Sequence, residues 1–176
     1  MSKQIEFDHL AAMLQGVVLP EGPKIDRLII SSPSAQISVK PFALDLKEAA
    51  EVTAEVGEAN LAAYLNKLKP GNLFGFEVEC AEGTIRAKAK VKFIVDIPVE
   101  AVCTLRIVEG KELHVDLQSV NVLGGGGATG MVEDQIKKVN PILSSSDLPF
   151  DLQMESVTIA NGVVEIKGQA LLSDEI

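Results

Sequence analysis

The 176-residue chain has no Trp, one Tyr and six Phe, so aromatics amount to only 4% of it. Its core must therefore be built from Val, Ile, Leu and Ala, and any concave surface inside it will be smooth and aliphatic. Single-stranded nucleic acid is disfavoured as a partner, because interleaved aromatics on which bases could stack are missing. Positive charge is scarce as well. With 16 Lys and Arg against 25 Asp and Glu, the net charge is −9. That excludes broad electrostatic binding to nucleic acid and whole-surface attraction to anionic membranes, leaving only local basic patches to weigh. The two cysteines, Cys80 and Cys103, have no CxxC spacing. Both fall in strand-like sequence, so buried free thiols are expected, with one disulfide between neighbouring strands as the alternative. The two histidines, His9 and His114, lie in separate elements without Cys, Asp or Glu at ligand spacing. No metal site, cofactor or Ser-His-Asp triad is expected. No apolar run approaches the roughly 20 residues that span a bilayer. The N-terminus lacks the apolar h-region of a signal peptide. The sequence as it stands reads as soluble and cytoplasmic, or as a cell-envelope protein if a leader was removed.

What is present is aliphatic and periodic. Hydrophobic residues make up 47% of the chain, enough for a sizeable core, and the length suits one domain over residues 1–176. Residues 4–18 space Phe7, Leu10, Ala11, Leu14 and Val18 as one helical face, predicting an N-terminal helix stopped by Pro20, Gly22 and Pro23. Residues 24–32 and 35–42 read as strands joined at Ser32-Pro33-Ser34, residues 43–49 as a short helical turn or loop, and 50–56 as a strand. Leu61, Tyr64, Leu65 and Leu68 predict a helix over 58–68, ended by Pro70-Gly71. Strand character returns at Phe74, Phe76 and Val78. From Ile85 to Ile107 apolar residues hold the odd positions, which predicts two strands with one buried face and a break near Asp96-Ile97-Pro98. Residues 112–122 continue the pattern with Leu113, Val115 and Leu117 inward. A shift of phase to Val120 and Val122 then predicts a β-bulge near Ser119. A last hairpin over 150–159 and 163–172 turns at Asn161-Gly162.

Between these strands lies Gly124-Gly125-Gly126-Gly127-Ala128-Thr129-Gly130, followed by an amphipathic pattern over 129–143. The apolar arc comprises Ala128, Met131, Val132, Ile136, Val139, Ile142 and Leu143, with Glu133, Asp134, Lys137 and Lys138 opposite. Pro141 should kink the helix or end its regular part. The glycines do not make a phosphate loop, since no Lys is placed to reach a phosphate and the surroundings are antiparallel. Together these patterns predict an α+β fold: a strongly curved, largely antiparallel β-sheet wrapped around a long amphipathic helix.

Arg86, Lys88, Lys90 and Lys92 share one strand face with no acid between Thr84 and Val95. The plain reading is a solvated outer face or protection of a strand edge. The sharper one is a site for anionic headgroups.

One part of the layout resembles a known family. Ala54-Glu55-Val56-Gly57-Glu58-Ala59-Asn60-Leu61-Ala62-Ala63-Tyr64-Leu65 is similar to the strand-then-helix entry of the LmeA-like phospholipid-binding proteins. The Glu82-Gly83 and Glu109-Gly110 turns fit the same layout. So does the ending: Asn140-Pro141, then Asp147-Leu148-Pro149-Phe150-Asp151-Leu152, then Val157 to Gly162. The resemblance covers about residues 50–172. It implies a fold similar to the tubular lipid-binding (TULIP) proteins, with an apolar groove for lipid and no catalytic motif.

The expected function is non-enzymatic binding of a lipid or other long apolar ligand between helix and sheet, lined by Val91, Phe93, Val115, Leu117, Val132, Ile136, Val139 and Leu143. The alternative is a filled core in a structural module that forms a homo-oligomer through strand edges or the N-terminal helix. Peripheral membrane contact is compatible with the first.

Overall fold

A computed structural model describes residues 3–124, 129–148 and 150–170, with the backbone alone at Phe42 and Leu44. The N-terminal segment is not a helix. It forms β1 (Gln4–Phe7) and β2 (Leu10–Val17), which pair antiparallel with β4 (Ala35–Val39) and β3 (Ile25–Ser32). The helical spacing marks no buried face: Phe7 and Leu10 are half-buried, Ala11 is exposed, and Leu14 and Val18 are 48% and 75% exposed. Long-range pairing with β3 and β4 satisfies the backbone instead, and it outweighs a weak local period. Residues 43–49 differ for the same reason. Their first part belongs to β5 (Phe42–Leu46), which pairs with β4 around the Lys40-Pro41 turn.

The order continues with β6 (Ala50–Gly57), α1 (Glu58–Leu68), β7 (Leu73–Ala81), β8 (Thr84–Lys92), β9 (Asp96–Val108), β10 (Glu112–Val122), α2 (Thr129–Lys137), β11 (Leu143–Ser144), β12 (Leu152–Ala160) and β13 (Val163–Ala170). The strands form one three-stranded sheet, β1-β4-β5, and two five-stranded sheets, β12-β13-β6-β3-β2 and β11-β10-β9-β8-β7. All pairings are antiparallel. One of the sheets is curled into a half-barrel, and the described residues add two short α-helices. The predicted bulge in β10 is present, between Leu117 and Ser119. It lets Leu117 face Cys103 and Val120 face Ala101, keeping the apolar positions on one side.

Two expectations about strand and helix ends are corrected. The break in the long alternating stretch falls at Phe93–Val95, three residues before Pro98, which lies inside β9 with Lys90 as its Cα partner. The long helix over 129–143 is a nine-residue α2 ending at Lys137. Pro141 cannot continue a helix. Beyond α2 the chain turns to β10, where the Ile142 N–H donates to the Leu113 carbonyl at 2.9 Å and Leu143 pairs with Leu113. Of the glycine run, Gly125 to Ala128 lie outside the described residues; Gly124 has φ +112.

The turn end of the β7–β11 sheet docks on the β12–β2 sheet. Gly83 N–H donates to the Ile159 carbonyl at 3.0 Å, and Met154 N–H to the Gly110 carbonyl at 2.7 Å. Between the two sheets lies the larger core, with Ile25, Val52, Val56, Leu61, Ile85, Leu113, Leu152 and Ile166. The other end of the β7–β11 sheet carries a second, smaller core: Leu73, Ala89, Val91 and Val99 beneath Val132 of α2.

Candidate functional site

The inner face of the β7–β11 sheet is poor in volume where it runs between the two cores. Ala87 faces Ala101, Ala89 faces Val99, and Ile85 faces Cys103 in the β8–β9 register. At Ala87 and Ala101 the side chains are too short to fill the space beneath the helices. The result is a cavity of ≈ 90 Å³, roofed by Leu61, Tyr64 and Leu65 of α1 and by Val132 and Ile136 of α2. Phe76 and Val78 of β7 close one side, and Val115, Val139 and Ile142 the other. Among the described residues, polar side-chain atoms in the wall come only from Tyr64 and Cys103. Burial raises the Tyr64 phenol above its ordinary value, with help from Asp147 and Glu21.

Two asparagines hold the helical roof to the sheet. Asn66 of α1 donates to the Phe76 carbonyl at 3.1 Å and accepts from its N–H at 2.8 Å. Asn140 does the same for Val115, at 2.9 and 2.7 Å. Each side-chain amide imitates a neighbouring strand and satisfies both backbone groups of a wall residue. The entry to α1 is held by Asp26, whose carboxylate accepts from the Gly57 N–H at 2.6 Å and the Asn60 side chain at 2.8 Å.

Of the residues expected to line a site, Val115, Val132, Ile136 and Val139 border the cavity. Val91 is fully buried in the smaller core, and Leu143 in the larger one. Leu117 is half-buried on the inner face of β10, opposite Cys103, beyond the cavity wall. Phe93 is displaced from the interior altogether: it lies in the β8–β9 turn and is 46% exposed. The small residues Ala87, Ala89, Ala101 and Cys103 were missed as wall residues. Their signal was available, since a run of small side chains at inward positions under two helices leaves space.

The basic row points outward, and acids meet most of it. Arg86 contacts Glu100 at 3.3 Å and faces Glu79. Lys88 lies between Glu77 and Glu100, and Lys92 faces Asp96. Lys90 alone of the four has no acid as register partner, lying between Phe74 and Pro98. Cross-strand pairing therefore accounts for Arg86, Lys88 and Lys92, and leaves Lys90.

Cys80 and Cys103 are free and buried. Both face Ile85, one from each side, so they lie two strands apart. That is about 9–10 Å at ordinary strand spacing, too far for a disulfide. Burial pushes both thiols up to about 11, with Glu58 adding to the effect at Cys80. His114 approaches Glu112 at 2.7 Å on the outer face, and His9 is exposed. Among the described residues no three His, Cys, Asp or Glu side chains gather into a metal-binding group. Among them, too, no helix is long and apolar enough to cross a membrane.

The family model for LmeA-like phospholipid-binding proteins matches residues 4–169. The chain belongs to the LmeA-like phospholipid-binding family. The match takes in β1, β2 and β3, which precede residues 50–172 that carry the motif resemblance. No curated protein and no solved structure matches the chain.

Proposed function

We propose that the chain is a non-enzymatic lipid-binding protein whose cavity between α1, α2 and the β7–β11 sheet admits an acyl chain. The observation that carries this reading is the wall: aliphatic, nearly free of polar atoms, and located where two separate cores fail to meet. An apolar space of this kind stays dry and takes apolar guests. At ≈ 90 Å³ it is smaller than the roughly 300 Å³ at which ligand pockets begin. Binding therefore requires α2 to move outward from the sheet. α2 buries Val132 fully and packs Met131 and Ile136 in part against the smaller core. Exposing Val132 alone costs about 1.5–3 kcal/mol and the other two add to it, while each methylene that enters from water contributes about 0.8 kcal/mol, so a chain of several methylenes is needed to offset the opening. Val115, Val132, Ile136 and Val139 would contact the chain, with Ala87 and Ala101 as the floor. Peripheral contact with a membrane belongs to the same reading as the source of the ligand.

Native mass spectrometry of the full chain after incubation with phospholipid vesicles tests the proposal. A bound species at one lipid per chain is expected. A chain that keeps its unliganded mass and never takes up a fluorescent fatty acid would refute it.

One observation favours a second reading. Among the described residues β2 is an edge strand that leaves Met13 and Leu14 exposed beside unpaired backbone, a surface suited to strand pairing between two copies. Light scattering of the unaltered chain and of Met13→Lys distinguishes this homo-oligomer from a monomeric binder.

A further inference from the structure

The turn between β8 and β9 is built against the ordinary logic of a soluble surface. Phe93, Ile94 and Val95 follow one another there, exposed by 46%, 103% and 66%. Three consecutive exposed apolar residues are a fault in a fold unless something uses them. The turn is not loose: Phe93 N–H donates to the Val95 carbonyl at 3.3 Å, and Lys92 N–H to the Asn72 carbonyl at 3.1 Å. Leu123, 62% exposed, joins the same end of the sheet, where its N–H donates to the Pro98 carbonyl at 3.2 Å. This end points away from the β12–β2 sheet, which docks on the opposite turns at Gly83 and Gly110.

Charge at this end differs in sign from the whole. The segments that meet here, residues 67–74, 90–98 and 119–124, carry Lys67, Lys69, Lys90 and Lys92 against Asp96 alone, in a chain of net charge −9. Neighbouring α2 adds Glu133 and Asp134 with Lys137 and Lys138, which leaves the balance unchanged. An apolar tip inside a basic rim matches the layering of an anionic membrane surface, where lysines lie at the headgroups and apolar side chains go below them. We infer that the β8–β9 turn is a membrane-docking tip that inserts Phe93, Ile94 and Val95 into the surface of an anionic bilayer, with Lys90 and Lys92 at the headgroup level. Leu73, Val99 and Val132, at the near end of the cavity wall, lie at this end of the sheet, so docking would bring the cavity towards the lipid.

The test is flotation of the full chain with vesicles of phosphatidylcholine alone and of phosphatidylcholine with phosphatidylglycerol in equal parts. The unaltered chain is expected to float with the anionic vesicles and far less with the neutral ones. Ile94→Asp removes no core contact, because Ile94 is fully exposed. It should weaken flotation about tenfold or more, in line with loss of one buried aliphatic side chain. Lys90→Gln and Lys92→Gln should each weaken it about fivefold on anionic vesicles only. Lys111→Gln, at the opposite end, should change nothing. Failure of the unaltered chain to float, or undiminished flotation of Ile94→Asp, overturns the inference. So does a drop in oligomeric mass on Ile94→Asp, which would make the tip a contact between copies. Uptake of a fluorescent fatty acid in solution reads the cavity separately. Uptake without flotation removes the tip alone, and flotation without uptake removes the cavity alone.

Discussion

Asn140 pairs its side-chain amide with both backbone groups of Val115, donating to the carbonyl at 2.9 Å and accepting from the N–H at 2.7 Å. Three residues later Leu143 takes up true strand pairing with Leu113. One side chain thus fills the place of a strand residue beside β10 and anchors the C-terminal side of α2 over the cavity. Asn66 does the equivalent for Phe76 on β7. The roof of the cavity is fastened at two wall residues by amides that no hydrophobic pattern announces.

The first prediction concerns this clip. Asn140→Ala leaves two half-buried backbone groups of Val115 without partners and should destabilise the fold by about 1–3 kcal/mol. Asn140→Asp keeps the acceptor for the Val115 N–H but sets a carboxylate against its carbonyl, so it should be no milder. Thermal melts check both. In both variants a fluorescent fatty acid should bind faster, since α2 is less restrained. Unchanged melting with unchanged uptake would remove the clip's assigned role.

The second concerns the floor. Ala101 is 4% exposed and borders the cavity opposite Ala87. Ala101→Leu should fill much of the space, stabilise the chain by about 0.5–2 kcal/mol and abolish acyl-chain uptake. Retained uptake together with raised stability would place the ligand elsewhere.

The third is a pH dependence. Burial raises Cys80 and Cys103 from 9.0 to about 11 in the folded chain, so they hold protons that an unfolded chain would already have released. Their contribution to stability is complete below pH 9.0 and is lost as pH rises through about 11. Denaturant titrations across that window should show the decline, and Cys103→Ala should flatten part of it. At neutral pH both thiols should resist iodoacetamide until the chain unfolds.

The fourth tests a backbone approach. Gly168 faces Met154 where the β12–β13 register shifts, and a Cβ there would collide with the Gln153 carbonyl. Gly168→Ala should cost about 1–3 kcal/mol through forced displacement of β12. Gly130→Ala, in the first turn of α2 and with open space around the added carbon among the described residues, is the control: Ala is the better helix former, so the melt should hold or rise slightly and not fall.

Much of the second half was legible in the sequence because strong local signals agreed there. Odd-position apolar residues over 85–91 and 97–107 marked the inner face, although Phe93 and Val95 between them did not, the phase slip after Leu117 marked the bulge, and Asn161-Gly162 marked the last turn. Glu58–Leu68 was legible as a helix because its apolar spacing ends at Pro70-Gly71. The first half failed where periodicity was weak. Residues 4–17 space their apolar side chains like a helix, yet they form two strands because β3 and β4 offer them a ladder. No local pattern contains that offer.

By itself the sequence determined the aliphatic inner face, the hairpins and the family layout, since each depends on alternation or on turn residues within a few positions. The tertiary structure alone decided that α2 stops at Lys137, that Asn140 leaves for β10, and that Phe93 turns outward while Ala87 and Ala101 line a space. These outcomes depend on which backbone groups and which side-chain volumes meet across the fold. Such meetings join residues far apart in the chain, so spacing along the sequence does not encode them.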